Sequence, residues 1–289
     1  MNAAIIGGDK RQLFAAEALE QAGCRTVLLG FETSELAEKR RQAVTLREAM
    51  ADADFVLLPF PAETAQEMLN APFCRTAIDC REILKMIPAG VPALGGKLST
   101  TLKTEAERHG VTLIDYAGRE ELTIRNAIPS AEGAIQIAME ELTVTLHGAE
   151  CLVAGYGRIG RVLASMLRGI GARVTVSARR TADLEWIRFE GYRALETGAL
   201  RGKLGRFDVV FNTIPALVFP RDVLEELPVH GLIIDLASMP GGVDFEAARQ
   251  IGRKTIHALS LPGKVAPATA GAAIAETVLQ MLRELKKDG

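Results

Sequence analysis

The sequence predicts an α/β protein of two doubly wound, parallel-sheet domains, the second a Rossmann-type dinucleotide-binding domain; a C-terminal helix packing back on the first is expected only from proteins built this way, since periodicity does not show it. Three observations carry that expectation. Strand-like and helix-like segments alternate twice over, which is the pattern of parallel sheets covered on both faces. A strand, a glycine turn, a helix and a second strand stand together mid-chain, GAECLVAGYGRIGRVLASMLRGIGARVTVSARRT from 148 to 181. The 289 residues suffice for two hydrophobic cores. The expected divisions are an N-terminal domain over 1–128, a connecting helix over 129–147, a dinucleotide domain over 148–268 and a returning helix over 269–289.

In the first domain, Ala3 to Gly8 reads as a strand and Lys10 to Ala22 as the helix after it. Further strands are expected at Thr26 to Phe31, Phe55 to Phe60, Thr76 to Asp79, Val91 to Leu94 and Val111 to Tyr116. Helical composition marks Leu46 to Ala53 and Ser99 to His109. Around PSAEGAIQIAMEELTVTL, a Ser130 cap and apolar spacing predict a long connecting helix from Pro129 to Leu146.

The second domain opens with the buried-strand run Cys151 to Ala154. Gly155, Gly157 and Gly160 then fall on G-x-G-x-x-G spacing, with Tyr156, Arg158 and Ile159 between them. Gly155 permits the sharp turn, Gly157 close approach of backbone to a pyrophosphate, and Gly160 close packing of helix on strand. The free N–H groups at the helix start face the anion. Arg173 to Ser177 is the next strand, followed by Val209 to Thr213, Leu232 to Leu236 and Thr255 to Leu259, with a final helix over Ala270 to Lys286.

An NAD site usually places an acid after the second strand, on the ribose hydroxyls. Here Ser177 and Ala178 are followed by Arg179 and Arg180. A guanidinium pairs with a 2′-phosphate through two parallel charge-assisted bonds, so NADP is expected over NAD, the other reading being a solvated basic loop. Asn212, Thr213, Ile214 and Pro215 follow a strand and are expected over the nicotinamide, as are Ala237 and Ser238 in DLASMPGG and Pro262 and Gly263 in LSLPGKVAP. Gly241, Gly242 and Gly263 permit approach to a flat ring, or serve purely steric needs.

Composition narrows the function classes. With 34 basic and 36 acidic side chains and a net charge of −2, neither nucleic acid nor an anionic membrane is an expected partner. The chain opens directly into a strand, with no basic leader and no membrane-length apolar run, so a cytoplasmic protein is expected. Cys24, Cys74, Cys80 and Cys151 lack C-x-x-C spacing and read as reduced, mostly buried thiols. The four histidines are dispersed and suggest no metal cluster.

Two stretches offer groups for substrate. GGDKRQ, residues 7–12, repeats the glycine-turn logic, so Asp9 and Arg11 mark either an anion site for a substrate carboxylate or a helix capped by Asp9 with Arg11 in solvent. DYAGREELTIRNAIPSAEG gathers Arg119, Asn126, Ser130 and Glu132 where the chain leaves the first domain, the expected side of a ligand cleft. Arg119 or Arg125 is read as a carboxylate clamp and Glu132 as proton acceptor, a role that requires burial. Surface charge and helix capping are the alternatives. Lys264 is a further candidate for a substrate carboxylate.

Taken together, GGDKRQL, NAIPSAEG, GYGRIG, NTIP, DLASMPGGVDF and LPGKVAPATAG closely resemble the dipicolinate synthase A-subunit family of spore-forming bacteria, over nearly the whole chain. The resemblance implies NAD(P)-dependent oxidation of dihydrodipicolinate, or a related tetrahydrodipicolinate intermediate of the lysine pathway, to dipicolinate. It implies the mother-cell cytoplasm during sporulation and a flavoprotein-like B-subunit as partner, with homo-oligomers expected inside a hetero-oligomer. The wider architecture resembles D-2-hydroxyacid dehydrogenases and S-adenosylhomocysteine hydrolase. The hydroxyacid enzymes carry a histidine before the last helix where this chain reads Ala266, Pro267, Ala268 and Thr269, which disfavours hydroxyl-to-ketone chemistry. Two rival readings stand beside this one: an NADP-dependent 2-hydroxyacid or amino-acid dehydrogenase, and a noncatalytic NADP-binding scaffold for the B-subunit.

Overall fold

A computed structural model describes residues 1–288. The chain forms two compact units, Met1–Asn126 with Ala266 onward, and Ala127–Val265. The first runs β1 Asn2–Ile6, α1 Lys10–Gln21, β2 Arg25–Leu29, α2 Leu46–Met50, β3 Phe55–Leu57, α3 Cys80–Met86, β4 Ala93–Gly95, α4 Thr100–Arg108 and β5 Leu113–Asp115. Helix α5, Glu120–Glu141, carries the chain onward. The second runs β6 Glu150–Ala154, α6 Arg158–Ile170, β7 Arg173–Ala178, α7 Thr181–Phe189, β8 Arg193–Glu196, β9 Val209–Asn212, α8 Arg221–Leu224, β10 Leu232–Asp235, α9 Phe245–Gln250, β11 Lys254–His257 and α10 Leu261–Val265, before α11 Pro267–Asp288.

Both sheets are wholly parallel, as the doubled alternation predicts. The first has the order β2-β1-β3-β4-β5 and the second β11-β10-β9-β6-β7-β8. Apolar residues on both faces of each sheet explain the unbroken runs: Ala4, Ile6 and Val56 pack toward one side and Ile5 and Leu57 toward the other. The last helix belongs to the first unit, where Ala273, Ile274, Val278 and Leu282 join Leu13, Ala16 and Leu19 of α1 in one core. Each large aliphatic side chain buried there contributes roughly 1.5–3 kcal/mol. Small alanines on the two facing helices let them lie close.

Four sequence expectations need correction. Thr76 to Asp79 is not a strand: Asp79 instead caps α3, accepting a bond from the Arg81 N–H at 2.8 Å. The strand β8 and the helix α7 before it are additions to the expected elements. β8 is a half-exposed edge segment, RALE, without the β-branched run that marks a buried strand. The connecting helix begins at Glu120, ten residues before the expected cap, and ends at Glu141. Ser130 and Pro129 therefore lie inside it. Leu122, buried in the first core, and the acidic first turn at Glu120 and Glu121 support the early start, and the helix tolerates the one N–H that proline lacks.

Candidate functional site

In the second unit β6 lies between β7 and β9, so the winding direction reverses there and the crevice at the carboxyl ends of those strands is the natural ligand position. The three glycines of the turn serve three different needs. Gly155 has φ +104°, and any Cβ on it would run into the Thr213 hydroxyl. A Cβ on Gly160 would collide with the Gly155 carbonyl oxygen, so this glycine lets α6 close onto β6. Gly157 meets nothing within 4 Å; it is the N-cap of α6 and makes no side-chain cap bond. An exposed helix start with unfilled space in front of it is what an anion requires.

The rest of the turn is internally braced. Gly155 N–H donates to the Ser177 carbonyl at 3.0 Å, and Thr213 Oγ1 donates to the Ala154 carbonyl at 2.9 Å, tying the ends of β6, β7 and β9 together. Tyr156 points inward, its ring 4.4 Å beneath the Arg161 guanidinium, and burial pushes its hydroxyl up to about 12. Its side chain therefore packs, and only its backbone belongs to the turn. Arg158 and Ile159 open α6.

A cavity of about 680 Å³ lies at the ends of β7 and β8, lined among others by Arg179, Glu196, Leu217 and Val218. The two arginines after β7 part company. Arg180 forks onto Asp183 with two bonds of 2.7 Å and holds that carboxyl below its usual range, whereas Arg179 faces the cavity with no ion pair among the described residues. Ser177 is fully buried and its hydroxyl accepts a 3.2 Å bond from Thr197, and Ala178 is buried as well. A paired guanidinium clamp is thus reduced to one free guanidinium.

Asp235, which opens the DLASMPGG stretch but is not among the residues the sequence reading assigns to the site, organises the far side. It is fully buried and accepts bonds from Asn212 Nδ2 at 2.8 Å, Ala237 N–H at 3.0 Å and Gly242 N–H at 2.7 Å. Asn212 in turn brackets Ile214, donating to its carbonyl at 3.0 Å and accepting from its N–H at 3.1 Å. His257 Nε2 bonds the Ala237 carbonyl at 2.9 Å. One carboxylate thereby fixes the loops after β9 and β10. Gly242 is glycine because a Cβ would strike Asn212 and the Ile214 and Ala216 carbonyls, which is the steric alternative of the sequence reading. The available signal is an aspartate ending a strand seven residues before a glycine, Asp235 to Gly242. Thr213 and Ile214 are partly exposed, and Pro215 and Ser238 exposed, at this rim. Pro262 and Gly263 lie in α10, where Lys264 is exposed.

The substrate candidates divide between the units. Asp9 caps α1, accepting from Arg11 N–H at 2.9 Å, and also receives the Arg11 side chain through Nε at 3.0 Å and Nη2 at 2.8 Å. Arg11 also donates to the Phe60 carbonyl and is only 4% exposed. The cap expectation holds and the solvated arginine does not: Arg11 is consumed by the fold. Arg119 is likewise consumed, through Glu121 at 2.7 Å and a fork onto Glu284 of α11 at 2.7 and 3.0 Å, and Arg125 pairs with Glu276. These are struts that tie Arg119, just before α5, and Arg125 of α5 to α11 rather than free clamps. Asn126 and the buried Ser130 are both engaged by other groups. Glu132 is exposed in an open groove with Ile135, Met139, Met166 and Ile170, so it lacks the burial that its expected role requires. Burial pushes the Cys80 and Cys151 thiols up to about 12, in keeping with inert cysteines, while Cys74 is only partly buried. No helix among the described residues is long and apolar enough to cross a membrane.

Residues 2–117 match the family model described as the N-terminal domain of the dipicolinate synthase A-subunit. The chain is 31% identical over 287 residues to the dipicolinate synthase A-subunit of Bacillus subtilis (strain 168), covering 99% of this chain and 97% of that one. It superposes on the crystal structure of the dipicolinate synthase A-subunit from Bacillus halodurans with a TM-score of 0.87 and 33% identity, over 97% of each chain. An L-alanine dehydrogenase structure shares the fold at a TM-score of 0.69 and 15% identity, over 100% of this chain and 91% of that one.

Proposed function

This chain belongs to the dipicolinate synthase A-subunit family, and from that premise we propose that it is an NADP-dependent oxidoreductase forming dipicolinate from dihydrodipicolinate or a closely related precursor. The observation that carries the reading is the uncapped helix start at Gly157, set at the reversal point of the second sheet, with a cavity that Arg179 faces at the end of the neighbouring strand β7. A dinucleotide pyrophosphate suits that helix start, and the single free guanidinium suits a 2′-phosphate.

When bound, the nicotinamide supplies a hydride acceptor. The overall change is balanced: the dihydropyridine ring loses a hydride to the coenzyme and a proton to an acceptor, and becomes aromatic. The chain's own contribution is orientation. Asp235 and Asn212 hold the 213–216 and 236–242 loops in fixed register, so that Thr213, Ile214, Ala237 and Ser238 form a rigid rim on which the ring can rest. Lys264, exposed after β11, is assigned to a substrate carboxylate. Glu132 stands as acceptor for the released proton only as a solvent-facing carboxylate, and unchanged turnover in Glu132→Gln removes it.

The relatives are named as one lettered component of the synthase, which supports a partner B-subunit, and their name supports a place in sporulation. Incubating the purified chain with the dihydro precursor and NADP+, alone and with the B-subunit, tests the proposal. Growth of the aromatic ultraviolet absorbance of dipicolinate together with NADPH is expected. Turnover of 2-keto acids instead would favour the dehydrogenase alternative, and redox silence of this chain by itself under every saturating condition, with turnover arising only from the B-subunit, would favour the scaffold.

A further inference from the structure

No acid ends β7, and the next strand, β8, ends in one. Ala178, the last residue of β7, stands opposite Glu196, the last residue of β8, in parallel register. Glu196 is exposed at that edge and lines the same cavity as Arg179. The other cations nearby are committed elsewhere, Arg180 to Asp183 and Arg201 to Asp222. Among the described residues Arg179 and Glu196 make no ion pair with each other or with a third group. A lone cation and a lone carboxylate therefore face one space, at the strand ends where a dinucleotide's adenosine ribose is read.

We propose that Glu196 is a second determinant of coenzyme choice, set against Arg179. Arg179 binds a 2′-phosphate. Glu196 accepts hydrogen bonds from the ribose hydroxyls of a coenzyme lacking that phosphate, and it opposes the phosphate by like charge. The site then takes both coenzymes, with a phosphate preference smaller than the arginine alone would give. The sequence hides this because the acid is displaced by a whole crossover, from position 178 to position 196. The inference rests on the reading of the second unit as a nicotinamide dinucleotide site.

The test is calorimetric titration of the full chain with NADPH and NADH, for wild type, Glu196→Gln and Arg179→Gln. Glu196 is exposed, so its variant is expected to fold, which circular dichroism checks. Glu196→Gln is expected to tighten NADPH and weaken NADH, each by about threefold to tenfold, as for gain or loss of one exposed charge contact. Arg179→Gln is expected to weaken NADPH by about tenfold or more and to leave NADH unchanged, as loss of a charge-assisted fork would. If Glu196→Gln leaves the NADPH-to-NADH ratio where it was, Glu196 has no such role and the dinucleotide reading stands without it. If wild type binds neither coenzyme, the dinucleotide reading itself fails and this inference with it.

Discussion

At the ends of β1 and β6 the chain makes the same move, strand to glycine turn to helix, with opposite results. After β1, Gly7 and Gly8 have φ of +65° and +111°, and the space before Gly8 is filled by Gln12, whose Cγ lies 2.6 Å from where a Cβ would stand. The cap of α1 is Asp9, whose own carboxylate occupies the helix start and draws in Arg11. After β6, the cap is Gly157, which makes no side-chain cap bond and has open space where a Cβ would stand. A glycine turn before a helix is thus not by itself an anion site. It suits one better when the cap residue brings no side chain of its own to the helix start.

The largest effect that would break this contrast lies in the open turn's packing. Gly160→Ala drives a methyl into the Gly155 carbonyl and is expected to destabilise the second unit by about 3 kcal/mol or more, read from denaturant unfolding. A wild-type midpoint would mean that α6 does not sit on β6 as described. Next comes the closed turn: Asp9→Ala removes a cap and strands a buried guanidinium, at a cost of about 2–3 kcal/mol, with coenzyme affinity unaltered. A loss of coenzyme binding at full stability would show instead that the first turn is a nucleotide site. Gly157→Ala should keep stability within about 1 kcal/mol and weaken the coenzyme by about tenfold, or 1.4 kcal/mol. Unchanged affinity would put the pyrophosphate elsewhere.

The smallest effect concerns the struts that occupy the arginines of the first unit. The Arg119 fork holds the Glu284 carboxyl below its ordinary 4.5. A depressed carboxylate contributes stability above its ordinary value and loses it as pH falls through the folded one. The stability gap between wild type and Arg119→Met is therefore expected to be constant near neutrality and to shrink below about pH 4.5. Salt screening makes it modest. A gap that persists at low pH would assign the contact to packing rather than charge.

Much of the contrast is legible in the residues themselves. Asp9 against Gly157 already distinguishes a self-capped helix from an uncapped one, and the G-x-G-x-x-G spacing gives the sharp turn to Gly155 and the helix contact to Gly160, where the structure has them. What is not legible is mostly a matter of partners far away in sequence. Arg119 meets Glu284 across 165 residues, and nothing near position 119 announces it. Arg180 is lost to Asp183, only three residues on, because without α7 in view the two do not share a first turn. Glu196 is hidden because β8 is a short edge strand with a polar pattern. Pro129 obscures a helix that starts nine residues earlier, where Leu122 is buried in the first core.

Amide hydrogen exchange of the full chain with and without saturating NADPH tests most directly the claim that the two turns differ. Slowed exchange is expected at Arg158, Ile159 and Gly160 and in the loop at 213–216, with Lys10 and Arg11 unchanged. Protection at Lys10 and Arg11, with the amides after Gly157 unaffected, would contradict it.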